Sequence, residues 1–328
     1  MISARVPPSP FVVVLGAGGL GGYLGAVLHR GGARVHLVIR GEHLNAVRRD
    51  GLTVVDERGE ETCPTPASDE LPPVARGDIV FVTVKAHGLA DVLPALRRAG
   101  EAGAWIVPLV NGVDAAGRLA NGGVPPERII VGVAYLTAFR TAPGRVERQG
   151  PHGRLLVGRP SHVGSGRPAH VLEALRPVPW ILSGAAIEME ETGEIEVESW
   201  RKMMVVTALT GACAMGRATI GQALAESSGL PRARGLVAEA GAVARASGVG
   251  VSEALESAAF ERVCAFPHDF RPSLIHDLAR GVPTEVDALH GAIARIGRTV
   301  GVPTPLHDRA AQVIREAERA TGSPLRPT

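Results

Sequence analysis

The chain has 328 residues, 45% hydrophobic and 21% charged, which is more than one average core can use and suits two globular domains. A net charge of +2, with Lys and Arg scattered and aromatics at 3%, argues against a nucleic-acid surface, and no apolar run is long enough for a membrane span. Three separated cysteines (Cys63, Cys213, Cys264) without C-x-x-C spacing argue against a metal site or a disulfide framework, and the proline-rich start Met1 to Pro10 lacks a signal-peptide core. A cytoplasmic protein is expected.

The first element is the most telling. Val12 to Leu15 is a strand-like apolar run, Gly16-Ala17-Gly18-Gly19-Leu20-Gly21 is a glycine turn, and Leu20, Leu24, Val27 and Leu28 give a helical pattern behind it. In this order Gly16 permits the tight turn, Gly18 lets a pyrophosphate approach the backbone, and Gly21 lets the helix pack close to the sheet. The phosphates then meet amide groups at a helix N-terminus, where the dipole favours anions. A glycine-rich turn without a ligand is the competing reading.

Arg34 to Ile39 follows as a strand and His43 to Arg49 as a helix. Gly51 to Val55 with Asp56 to Gly59 suggests a small hairpin, and Asp78 to Val84 a buried parallel strand. A helix from Leu89 to Arg98, a strand from Trp105 to Val110, a helix after Asn111-Gly112 and a strand at Ile129 to Val133 continue the alternation, predicting a doubly wound parallel sheet. Beyond Tyr135 short strands with glycine and proline turns predict antiparallel strands ending that sheet, the last at Trp180 to Leu182.

From Glu194 onward only helices are expected: Trp200 to Ala225, Pro231 to Ser247, Ser252 to Cys264, Ser273 to Arg280, Glu285 to Val300 and Pro305 to Arg319. In the fifth, Val286, Leu289, Ile293, Ile296 and Val300 share one face, and Thr284 with Asp287 resembles a capping box. The chain thus divides into a flexible tail (1–10), a dinucleotide-binding domain (11–190), a helical substrate domain (191–320) and a C-terminal tail (321–328).

Ligands of such sheets lie beyond the carboxyl ends of the strands, so the residues ending strands matter most. Arg40 stands where an NAD-preferring site usually places an acidic side chain, and a guanidinium there suits a 2′-phosphate, which favours NADPH; a surface arginine at a helix start is the alternative. Lys85 could hold an anionic group or be merely solvated. Asn111 could bond a nicotinamide, ribose or substrate oxygen, or serve as a turn residue. Lys202, on the otherwise apolar helix carrying Met203, Met204 and Val205, needs a partner or a cleft. Glu285, at a helix start, could pair with it.

Gly16-Ala17-Gly18-Gly19-Leu20-Gly21, Arg40, Val84-Lys85-Ala86, Asn111-Gly112, Trp200-Arg201-Lys202 and Pro283-Thr284-Glu285-Val286-Asp287, in order and along nearly the whole chain, resemble the signatures of the 2-dehydropantoate 2-reductase (ketopantoate reductase) family. Pro272 to Leu278 resembles a further segment of that family. The resemblance implies an α/β Rossmann domain followed by an all-helical domain like the C-terminal one of 6-phosphogluconate dehydrogenase. It implies NADPH-dependent reduction of a small branched 2-keto acid for pantothenate synthesis. Lys202 is then the proton donor and Glu285 accepts the substrate hydroxyl. Asn111 and Ser273 position the substrate, and the glycine loop, Arg40, Lys85, Asn111 and Glu285 serve the cofactor. Apart from the resemblance, a homodimer is the assembly expected only as the commonest choice.

The chain departs from the pattern one and two turns after Lys202. Val206 and Thr210 stand at substrate-facing positions where the family usually has asparagine, and His290-Gly291 replaces an Asn-Gly. The pocket should therefore be less polar, and beside ketopantoate itself one alternative is a different, larger or more apolar 2-keto acid of specialised metabolism. His290 reads as a buried, satisfied histidine or as a replacement polar contact. A redox-sensing NADPH-binding module without turnover, and an oxidative hydroxy-acid dehydrogenase, are the other readings.

Overall fold

The computed structural model describes residues 10–160 and 170–320; the tails expected at 1–10 and 321–328 lie outside them apart from Pro10. The chain forms two compact units. The first runs to Val110 and resumes over Ala115–Ile195; the second joins Asn111–Asp114 to everything from Glu196 onward.

In the first unit the chain runs β1 (Phe11–Leu15), α1 (Gly19–Arg30), β2 (Arg34–Val38), α2 (Gly41–Asp50), β3 (Leu52–Asp56), β4 (Gly59–Cys63) and β5 (Ala67–Ser68). It continues through β6 (Ile79–Val82), α3 (Leu89–Glu101), β7 (Trp105–Pro108), α4 (Ala115–Asn121), β8 (Val131–Ala142) and β9 (Arg145–Gly158). It closes with α5 (Val171–Ala174), α6 (Val178–Ser183) and β10 (Ile187–Glu191). Five strands form a parallel sheet in the order β5-β2-β1-β6-β7. Successive residues of β1 face opposite sides, so Val12 and Val14 enter one core with Ile79 and Phe81, while Val13 and Leu15 enter another with Val80 and Val82. Burial on both faces is why these strands read as unbroken apolar runs. The strand order reverses between β1 and β6, which makes the loops after these two strands the natural ligand crevice.

Two expectations about this unit need correction. The strands beyond Tyr135 do not end the first sheet but build a second one, β10-β9-β3-β4, with β8 antiparallel on β9. From the run at Ile129 to Val133 only Ile129 bridges to the first sheet, at Ile106, before β8 leaves for the second. Trp180 to Leu182 is not a strand but part of helix α6, and the last strand is β10, which runs parallel to β9. A three-residue apolar run carries no periodicity by which to tell the two apart.

The second unit contains α7 (Ile195–Gly216), α8 (Ile220–Ala225), α9 (Gly229–Ala246), α10 (Glu253–Cys264), α11 (Ser273–Ala279), α12 (His290–Val300) and α13 (Pro305–Ala320). Helix α7 supplies Met203, Met204, Ala208, Leu209, Ala212 and Cys213 to the unit's core. The helix expected from Glu285 begins only at His290; residues 286–289 form turns, opened by Glu285, whose carbonyl accepts from the amides of Ala288 and Leu289. Thr284 and Asp287 form no capping box. The Thr284 hydroxyl donates to Glu318 and accepts from the Val286 amide, and Asp287 pairs with Arg315. Glu285 therefore stands just before a turn, not on the first turn of an α-helix.

Candidate active site

The glycine loop has the geometry its spacing implies. Gly16 turns with φ +96°, and a Cβ there would lie 2.6 Å from the Val84 backbone nitrogen, so only glycine fits. A Cβ on Gly21 would fall 2.2 Å from Thr83 Oγ1, which itself donates to the carbonyls of Leu15 and Gly16. At Gly18 the direction a side chain would take is open, with nothing nearer than 3.9 Å. The amides of Gly16 and Ala17 face the Val38 carbonyl, and the Gly18 amide donates to Gly16. Helix α1 then starts with no side-chain cap and no acidic residue in its first turn. Its leading amides lack intrahelical acceptors, so this end fits an anion such as a dinucleotide pyrophosphate. Ala17 is fully buried and Leu20 packs partly against the core, so those two serve the loop through backbone and packing.

Arg40 is exposed at the residue preceding α2, two past the end of β2. Lys85 is exposed three residues past β6, opening a short 3-10 turn at the crevice side of the sheet.

Three of the expected residues meet inside the second unit. The Lys202 ammonium donates to Asn111 Oδ1 at 3.1 Å, and Asn111 Nδ2 donates to Glu285 Oε2 at 3.0 Å. This orientation of the amide is the only one that faces its oxygen to the cation and its nitrogen to the carboxylate. Asn111 is not itself in the left-handed region; Gly112 is, with φ +114°, and a Cβ there would lie 3.0 Å from the Ala288 carbonyl oxygen. That close approach lays Asn111 beside the turn carrying Glu285. Glu285 is buried and Lys202 half-buried, with Trp200, Met203 and Met204 around it in sequence and deep in the core. Burial lowers the Lys202 ammonium from the ordinary 10.5 to about 8, against the pull of the Glu285 charge. An ammonium so poised gives up a proton far more readily than a solvated lysine.

The remaining residues divide. Val206 is partly buried against the unit's core, and Ser273 is exposed at the start of α11. Thr210 is buried, and its hydroxyl meets His290 Nε2 at 3.0 Å. His290 Nδ1 meets His307 Nδ1 at 3.0 Å, and His307 Nε2 bonds the Leu236 carbonyl. Working back from that carbonyl, which can only accept, fixes both tautomers: His307 carries its proton on Nε2 and His290 on Nδ1, leaving His290 Nε2 to accept from Thr210. Burial keeps both rings neutral, with His307 lowered to about 4 and His290 well below its ordinary value. His290 is thus the buried, satisfied histidine of the two readings. Sequence spacing gave no sign of His307, which lies 17 residues from its partner.

Set beside known proteins, the chain is an oxidoreductase that works with a nicotinamide cofactor on a CH–OH group, as its relatives are. The family model described as ketopantoate reductase PanE/ApbA matches residues 12–162, and its C-terminal companion matches residues 194–318. A 2-dehydropantoate 2-reductase of Halobacterium salinarum is 34% identical over 311 residues, 94% of this chain and 99% of that protein. The solved ketopantoate reductase family protein of Ralstonia eutropha superposes with a TM-score of 0.81 at 25% identity, covering 95% of this chain and 99% of that one. D-mandelate dehydrogenase, solved with NADH and anilino(oxo)acetate, shares the fold with a TM-score of 0.84 at 23% identity, covering 95% and 99%. The chain belongs to the ketopantoate reductase family. Among the described residues no helix is long and apolar enough to cross a membrane.

Proposed function

We propose that the protein reduces 2-dehydropantoate, or a related 2-keto acid, to the 2-hydroxy acid with NADPH. The observation that carries this reading is the Lys202–Asn111–Glu285 chain with its lowered ammonium. A reduced nicotinamide, when bound, supplies the hydride to the carbonyl carbon. The charge that builds on the carbonyl oxygen is met by the Lys202 ammonium, which stabilises it and delivers the proton. Asn111 holds that ammonium in place, Glu285 accepts the product hydroxyl, and Ser273 binds the substrate. The exposed Arg40 after β2 supports NADPH over NADH, since its guanidinium matches a 2′-phosphate. Lys85 serves the same cofactor.

The partly buried Val206, one turn beyond Lys202, and the engaged Thr210 hydroxyl favour an apolar substrate side chain over a hydroxylated one. Consumption of NADPH with a panel of aliphatic and aromatic 2-keto acids beside 2-dehydropantoate tests both points. A folded protein that binds NADPH and turns over none of them refutes the enzyme reading in favour of a non-catalytic NADPH-binding sensor. A cytoplasmic homodimer is the setting expected for it, and sedimentation checks the assembly.

A further inference from the structure

Among the groups outside the site, His43 in α2 is the one whose surroundings ask for an explanation. It is 4% exposed, and both ring nitrogens are committed. Nε2 lies 3.0 Å from the Ala17 carbonyl, in the middle of the glycine loop, and Nδ1 accepts from the Gly144 amide at 2.8 Å. The Gly144 amide can only donate, so Nδ1 is unprotonated and the proton sits on Nε2, facing the Ala17 oxygen. Gly144 belongs to the Pro143-Gly144 turn between β8 and β9, and its carbonyl accepts from Thr53. Strand β8 also passes so close to the loop that a Cβ on Gly19 would lie 2.1 Å from the Ala138 carbonyl.

The Ala17 carbonyl and the Gly18 amide share one peptide plane, in which they point opposite ways. A donor fixed on the Ala17 oxygen therefore also sets the direction of the Gly18 N–H, which donates to Gly16 at 2.6 Å. Without that donor the Ala17 carbonyl is a buried acceptor with its partner gone, and the plane is free to turn just where the helix amides must face an anion.

We propose that His43 is a positioning residue for the dinucleotide loop: its Nε2–H holds the Ala17–Gly18 peptide, while its Nδ1 ties the same ring to the β8–β9 turn. This rests on the reading of the glycine loop as a cofactor site. Three variants separate the two bonds. His43→Gln places an amide N–H near the Nε2 position and loses the tie to Gly144. His43→Asn places an acceptor near Nδ1 and loses the donor to Ala17. His43→Leu loses both.

The experiment is fluorescence titration of the full chain with NADPH, alongside thermal melts and hydrogen exchange of the loop segment without ligand. Asn and Leu are expected to weaken NADPH binding by about tenfold, the factor of one buried hydrogen bond, and to speed exchange in the loop, with Gln within about threefold of the parent. All three lower the melting temperature. Equal affinity in Gln and Asn, or weakening that tracks the melting temperature alone, overturns the proposal by making His43 merely structural. If Leu fails to fold, the Gln–Asn pair decides. If the parent protein binds neither NADPH nor NADH, the cofactor reading itself fails and takes the proposal with it.

Discussion

Replacing Lys202 with methionine separates chemistry from folding better than any other single change. The lysine is lowered from 10.5 to about 8, and that displacement equals about 3 kcal/mol of cost for keeping the charge in the folded chain at neutral pH. Partial solvent contact of the side chain reduces the figure to about 1–2 kcal/mol. The sign is fixed by linkage: between about 8 and 10.5 the unfolded lysine binds more protons than the folded one, so stability rises with pH over that interval. Methionine removes the cost and leaves the Asn111 oxygen without its donor, a loss of about 1 kcal/mol. Lys202→Met should thus be as stable as the parent at neutral pH or more so by about 1 kcal/mol, yet slower by a factor of about 100 to 10,000. In the parent, kcat/KM for reduction should fall as pH rises through about 8, by about tenfold for each further pH unit. Stopped assays of NADPH oxidation across that range, with denaturant melts of both proteins, check the pair of statements. A flat pH profile up to about pH 10, or a methionine variant keeping more than about a tenth of the rate, refutes the role of this ammonium.

The same geometry gives further outcomes. The Glu285 charge raises the Lys202 value, so Glu285→Gln should move the falling limb of the pH profile to lower pH as well as slow the reaction; a limb that stays in place or moves upward refutes the coupling. The buried His290–His307 pair is held neutral, so the unfolded state gains protons first as pH falls below about 6.5, and stability is lost there: near pH 5.5 about 1.4 kcal/mol per ring. Denaturant melts between about pH 7.5 and 5.5 should show that loss, and the double variant His290→Gln, His307→Gln should lose less over the interval. Gly18→Ala should leave the melting temperature almost unchanged and weaken NADPH binding, because the protein itself leaves that direction open. Gly16→Ala should lower the melting temperature, because the added methyl meets the Val84 backbone.

What was legible in the sequence and what was not follows from the range of each interaction. The run from Val12 to Gly21 carries a readable pattern, since the strand buried on two faces, the positive φ of Gly16 and the small Gly21 all fall within ten residues of chain. The helical unit announced itself the same way, through faces such as Ile293, Ile296 and Val300. Local spacing failed where a distant partner decided the outcome. Thr284 and Asp287 have the pattern of a cap, but Glu318 and Arg315 claim their side chains, and the helix starts at His290 instead. Asn111 reads as the residue ending a strand of the first unit, yet residues 111–114 cluster with the helical unit, and its bonds reach Lys202 and Glu285, 91 and 174 positions away. His43 looked like one more polar residue at a helix start because its partners, Ala17 and Gly144, stand 26 positions before and 101 after it. In each case the residue type was visible and its employment was not. A side chain with two hydrogen-bonding ends is defined by what lies at both of them, and only the folded chain brings those ends together.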